Sequence, residues 1–98
     1  MEINKVIQDN NCTIALEGRL DTLTSPQLEE ALKEVPEEIT ELVLDLKDLE
    51  YVSSAGLRVF LNAQKSMINK GTMVLKNVSE EIMEVLDMTG FTQILTIE

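Results

Sequence analysis

Leu42-Val43-Leu44-Asp45-Leu46, then Tyr51-Val52-Ser53-Ser54-Ala55-Gly56-Leu57, is the stretch that decides the fold. The first run is apolar and of strand length, the pattern of an inner strand covered on both faces. Lys47 to Val52 reads as a connector. Ser53 or Ser54 then suits a helix N-cap, and the residues beyond repeat at helical spacing. Leu57, Phe60, Leu61, Met67 and Ile68 share one face, while Arg58, Asn62, Lys65 and Asn69 share the other. Gly71 is placed to close this helix in a left-handed conformation.

Working outward, Ile3, Lys5 and Ile7, then Cys12, Ile14 and Leu16, alternate around Asp9-Asn10-Asn11, which predicts an antiparallel hairpin ending at Gly18. Arg19-Leu20-Asp21-Thr22-Leu23 reads as a loop. Thr24 or Ser25 caps a helix with Pro26 in its first turn, and Leu28, Ala31, Leu32 and Val35 form its apolar stripe until Pro36. Downstream, Thr72-Met73-Val74-Leu75 predicts a short buried strand. Ser79-Glu80-Glu81 opens a last helix that Gly90 ends, and Ile94 to Ile97 adds an edge strand. Met67, Met73, Met83 and Met88 are read as packing residues.

The order β-β-α-β-α-β-α-β implies an α/β fold: one small domain over residues 1–98, with a mixed sheet of four to five strands and about three helices mainly on one face. The 98 residues suffice for one modest core, and 44% hydrophobic with 27% charged residues is ordinary for a globular domain. No apolar run reaches the roughly 20 residues of a membrane span. Met1-Glu2-Ile3-Asn4-Lys5 lacks a secretory signal's pattern, so a cytoplasmic location without membrane insertion is expected.

Composition also excludes chemistry. With no histidine and a single cysteine, the chain has neither an internal disulfide nor a Ser-His or Cys-His pair, and Cys/His zinc sites are out of reach. Cys12 reads as a small buried hydrophobe. The serines fit no Gly-x-Ser-x-Gly or Ser-x-x-Lys pattern, and no phosphate-binding Gly-x-x-x-x-Gly-Lys loop exists. No enzyme activity, cofactor or metal is expected. A net charge of −10 argues against nucleic acid as a direct partner. The charge is uneven, because Glu29 to Glu50 carries half of the acids and Tyr51 to Val78 carries none.

That acid-free stretch begins at the two serines. A phosphate on a serine there would bring about −1.5 to −2 charges to a helix N-terminus, where free N–H groups and the dipole favour an anion. Such a modification leaves the fold intact and acts by clashing, in charge and size, with a docked protein. Ala55 and Gly56 leave little bulk around the hydroxyls. Asp21 and Thr22 have the chemistry of a turn, and Arg58 that of an exposed polar face.

Gly18-Arg19-Leu20-Asp21, Leu44-Asp45-Leu46-Lys47-Asp48-Leu49, Val52-Ser53-Ser54-Ala55-Gly56-Leu57 and Asp87-Met88-Thr89-Gly90-Phe91, in this order and over nearly the whole chain, resemble the STAS domain (sulfate transporter and anti-sigma factor antagonist). The likeness is to its stand-alone bacterial anti-sigma factor antagonists. It implies a protein that binds an anti-sigma factor serine kinase and frees a sigma factor. The kinase ends the binding by phosphorylating a serine, and a serine phosphatase reverses it. In the family motif Asp-Ser-Ser/Thr-Gly-Leu the acceptor follows the aspartate. That makes Ser54 the acceptor and puts Ser53 in the aspartate's place, a second hydroxyl and the second candidate. The resemblance carries Asp21 over as a partner-surface residue, and the reading of the residues themselves adds Thr22, Ser53, Ala55, Gly56, Leu57 and Arg58 to that surface. A constitutive, unphosphorylated scaffold subunit of a stress or lipid-transport assembly is the alternative.

Overall fold

Period-two burial builds the sheet. In the computed structural model, which describes residues 1–98, Cys12, Ile14 and Leu16 of one strand are buried while Thr13 and Ala15 between them are half-exposed. The strands are β1 (Glu2–Gln8), β2 (Asn11–Leu20), β3 (Glu41–Val52), β4 (Thr72–Lys76) and β5 (Thr96–Ile97). The helices are α1 (Ser25–Lys33), α2 (Ser54–Met67) and α3 (Glu80–Met88), with a 3-10 turn at Phe91–Gln93. Strand order follows chain order, with β1–β2 antiparallel and the other pairs parallel.

Register puts like with like. Cys12 pairs with Leu42 and Leu42 with Met73; Ile14 pairs with Leu44 and Leu44 with Leu75. All six are buried, and they join Leu28 of α1, Phe60 and Met67 of α2, and Ile82 and Leu86 of α3 in one core cluster. Each fully buried Leu, Ile or Phe contributes about 1.5–3 kcal/mol. All three helices therefore cover the same face. This corrects the expectation for β3: Val43 and Asp45 on its other side are half-exposed, so the strand is inner but covered on one face only.

Two strands outrun their expected ends. β2 continues through Gly18 to Leu20, with register shifts marking irregularities at Ala15/Glu17 and Gly18/Arg19. β3 absorbs the supposed connector, since Asp48, Leu49, Tyr51 and Val52 all pair with β2. Pairing with a neighbour outweighs the charged sequence of Lys47, Asp48 and Glu50.

Other differences concern exposure. Ile68 lies beyond the last turn of α2 and is 68% exposed, and Leu61 is half-buried; Val59 and Ala63 complete the buried face instead. Met67 and Met73 pack as expected and Met83 is half-buried, but Met88 is 86% exposed at the end of α3. Gly71 is not left-handed. A Cβ there would collide with the Thr40 carbonyl oxygen, which accepts the Thr72 N–H at 2.9 Å. The glycine serves a close crossing of two backbones. No helix is long and apolar enough to cross a membrane.

Candidate functional site

Parallel pairing brings the site together. Leu20 and Val52, the last residues of β2 and β3, are register partners, so the loop into α1 and the turn into α2 leave the sheet side by side. The Ser53 N–H donates to the Leu20 carbonyl at 2.8 Å and carries the pairing one residue past the strand. Groups at this carboxyl end of parallel strands are well placed to meet a ligand or partner.

Ser53 is the N-cap of α2. Its backbone is extended (φ −94°, ψ 175°), its Oγ accepts the Gly56 N–H at 3.3 Å, and its carbonyl accepts the Leu57 N–H at 2.9 Å. Ser and Asp are both strong caps, so serine in the aspartate's place preserves this local structure. Ser54, the first residue of α2, is exposed, and the first turn has no acid. An anion on its hydroxyl would meet the positive end of the helix dipole.

The other candidate residues divide by burial. Arg58 and Thr22 are exposed, and Asp21, Ser53 and Ala55 are half-exposed. Gly56 and Leu57 are buried, and Leu57 belongs to the core. A Cβ on Gly56 would lie 2.8 Å from the side chains of Leu20 and Val52. These two residues shape the surface from beneath it.

Asp21 organises the neighbouring loop. Its Oδ1 accepts the N–H groups of Leu23 and Thr24, both at 3.0 Å, and its own N–H donates to Thr24 Oγ1 at 2.9 Å. Thr24 Oγ1 donates to the Arg19 carbonyl at 2.7 Å. Ser25 donates both its N–H (2.8 Å) and its hydroxyl (2.6 Å) to the Asp21 carbonyl. The hydrogen bond from the Thr24 backbone is the largest influence holding the Asp21 carboxyl below its ordinary pKa, with the Thr24 hydroxyl, the Leu23 N–H and the Arg19 charge adding to it against partial desolvation. This loop is closed by its own hydrogen bonds, as the turn chemistry of Asp and Thr predicts.

Sequence reasoning missed three residues at this end. The Asp21 turn leaves Leu23 86% exposed. The Arg19 guanidinium lies 4.2 Å from the Tyr51 ring centroid, an attractive stack between register partners. An apolar residue between two threonines in a loop was a visible signal for Leu23. The Arg19–Tyr51 pair needed the β2–β3 register, which the supposed connector concealed.

A family profile described as the STAS domain matches residues 2–98. The chain belongs to the STAS domain family. Among its relatives, the anti-sigma-B factor antagonist of Bacillus subtilis is 34% identical over 101 residues, spanning 99% of this chain and 92% of the relative. A solved anti-sigma factor antagonist from Mycobacterium paratuberculosis gives a TM-score of 0.84 at 19% identity, covering 98% of this STAS domain and 83% of the other chain. The Bacillus cell fate determinant SpoIIAA, in its phosphorylated form, gives 0.76 at 17% identity, covering 99% and 91%. The two structural likenesses carry the STAS fold, a small α/β domain with a five-stranded mixed sheet and three helices.

Proposed function

We propose that this STAS domain is an anti-sigma factor antagonist. It docks on an anti-sigma factor serine kinase, releases the sigma factor held there, and is switched off by phosphate on Ser54. The exposed position of Ser54 on the first turn of α2 carries this reading: it offers a kinase a hydroxyl and gives the resulting phosphate a favourable field. Ser53 is the weaker acceptor because its hydroxyl already caps the helix. Asp21, Thr22, Ala55 and Arg58 complete the docking surface, with Gly56 and Leu57 supporting it. The domain acts by binding and catalyses nothing itself. A serine phosphatase resets it, and neither nucleic acid nor membrane is a direct partner. The names of its relatives support the antagonist role, and the phosphorylated form of SpoIIAA shows that a protein of this fold can carry the modification.

The test is phosphosite mapping by mass spectrometry after incubation with ATP and an extract of the native cells, joined to binding measurements on variants. Phosphate is expected on Ser54. Ser54→Ala retains partner binding, and Ser54→Glu loses at least about tenfold, or 1.4 kcal/mol, without a change in thermal stability. An unmodified chain in an extract with active kinases, purifying in a stoichiometric complex, would instead establish the constitutive scaffold.

A further inference from the structure

Lys33 and Lys70 border an apolar groove between α1 and α2, with a volume of about 300 Å³. Leu32 and Val35 line one side, and Val59 and Met67 line the other. Both helices return between parallel strands, so their C-termini emerge at the same end of the sheet. Lys33 is the last residue of α1, and Lys70 follows the end of α2. Both lysines therefore belong to the end of the groove at which the helices finish. Glu29 lies a turn upstream of Lys33, about 6 Å back along α1.

Charge makes this arrangement unusual. The chain has eighteen acids against eight cations, yet neither lysine takes part in an ion pair; the pairs formed are Lys5–Glu34 and Lys76–Glu98. A lysine at a helix C-terminus offsets the dipole, which accounts for the positions of the two cations. It does not account for the open apolar trough between them. Small-ligand sites combine this kind of mostly apolar lining with a few convergent polar groups, at volumes from about 300 Å³ upward.

We propose that this groove binds a medium-chain aliphatic monocarboxylate, its head between Lys33 and Lys70 and its tail along Leu32, Val35, Val59 and Met67. Glu29, one turn back from Lys33, repels a carboxylate seated further along α1 and so favours the head at the lysine end. The lysine end of the groove lies at the other end of α2 from Ser54, and neither Ser54 nor Asp21 lines it, so this inference stands independently of the phosphate switch.

Sodium octanoate is the probe, followed by methyl NMR on the full chain. Saturable shifts are expected at Leu32, Val35, Val59 and Met67, with the methyls of Ile3 and Ile7 in β1 unmoved. Lys33→Gln combined with Lys70→Gln weakens binding by about tenfold, as loss of a charge-assisted contact requires, with thermal stability as the control for folding. Octan-1-ol, which has the same chain without the charge, binds less tightly by a similar factor. Three results would overturn the proposal: no saturation up to about 10 mM, well above the millimolar affinity scale; equal binding of the alcohol; or an unchanged affinity in the folded double variant.

Discussion

The Ser53 N–H donates to the Leu20 carbonyl at 2.8 Å, one residue beyond the last register pair of β2 and β3. That single bond ties the turn carrying Ser54 to the loop built around Asp21. The two loops therefore form one continuous surface at this end of the sheet. In the proposed switch, phosphate on Ser54 acts by charge and size and requires neither loop to refold.

The adjacent serines separate by stability. Ser53→Ala removes the hydroxyl that accepts the Gly56 N–H and costs about 0.5–2 kcal/mol, the usual range for a lost N-cap. Ser54→Ala changes an exposed residue and stays within about 0.5 kcal/mol of wild type. Ser53→Asp retains a capping oxygen and recovers most of the loss. Urea denaturation measures all three, and equal midpoints for the two alanine variants would remove the capping role given to Ser53.

Asp21 predicts an acid-dependent loop. Its folded pKa is lowered, chiefly by the Thr24 N–H, so the charged carboxylate contributes stability above its ordinary value of 3.8. That contribution disappears as pH falls through the lower folded value. Comparing wild type with Asp21→Asn isolates the charge: the stability difference is expected at pH 7 and closes as acid protonates the carboxyl. NMR titration of the Asp21 side chain gives the pKa directly, and a value at or above 3.8 contradicts the hydrogen-bonding account.

How much of this was legible in the chain depended on whether the signal was local. Ser53 and Ser79 announced helix starts, and each hydroxyl does accept an N–H from its own first turn. The hairpin showed itself as alternation on both sides of Asp9. The length of β3 was hidden, because Lys47, Asp48 and Glu50 suit a connector until β2 pairs with them. Val43 and Val74 made the sheet look covered on both faces, although both are half-exposed on its open side. At the site, Ser54 and Asp21 were visible as residues and as family motifs. The turn bonds of Asp21 are local and follow from its neighbours Leu23 and Thr24, and Leu57 lay on the apolar face of its helix. The burial of Gly56 against Leu20 and Val52, by contrast, arises from tertiary packing.

Two glycines test what a single methyl can displace. At Gly71 the added Cβ would meet the Thr40 carbonyl oxygen, a backbone atom already bonded to the Thr72 N–H. At Gly56 it would meet the side chains of Leu20 and Val52, which can shift. Gly71→Ala is therefore the more damaging, at about 1–3 kcal/mol or above, the range for overpacking. Gly56→Ala recovers part of its cost from better helix propensity. Thermal unfolding ranks the variants, and a Gly56→Ala protein less stable than Gly71→Ala would refute the distinction.

Glu17 predicts a stabilising substitution. It sits directly across the hairpin from Glu2, and like charges in that position repel. Glu2 is the largest cause of the raised Glu17 pKa, with Asp48 and Glu50 adding to it. A carboxyl whose folded pKa is raised is unfavourable when ionised. The penalty is fully present above the folded pKa and is relieved as pH falls through it toward 4.5, the ordinary value. Glu17→Gln should therefore raise the thermal midpoint at pH 7, with a smaller gain at pH 4 and a smaller one again in high salt, since exposed charges are screened. If the gain is the same at both pH values and at every salt concentration, it comes from packing by the amide, and repulsion across β1 and β2 is not its source.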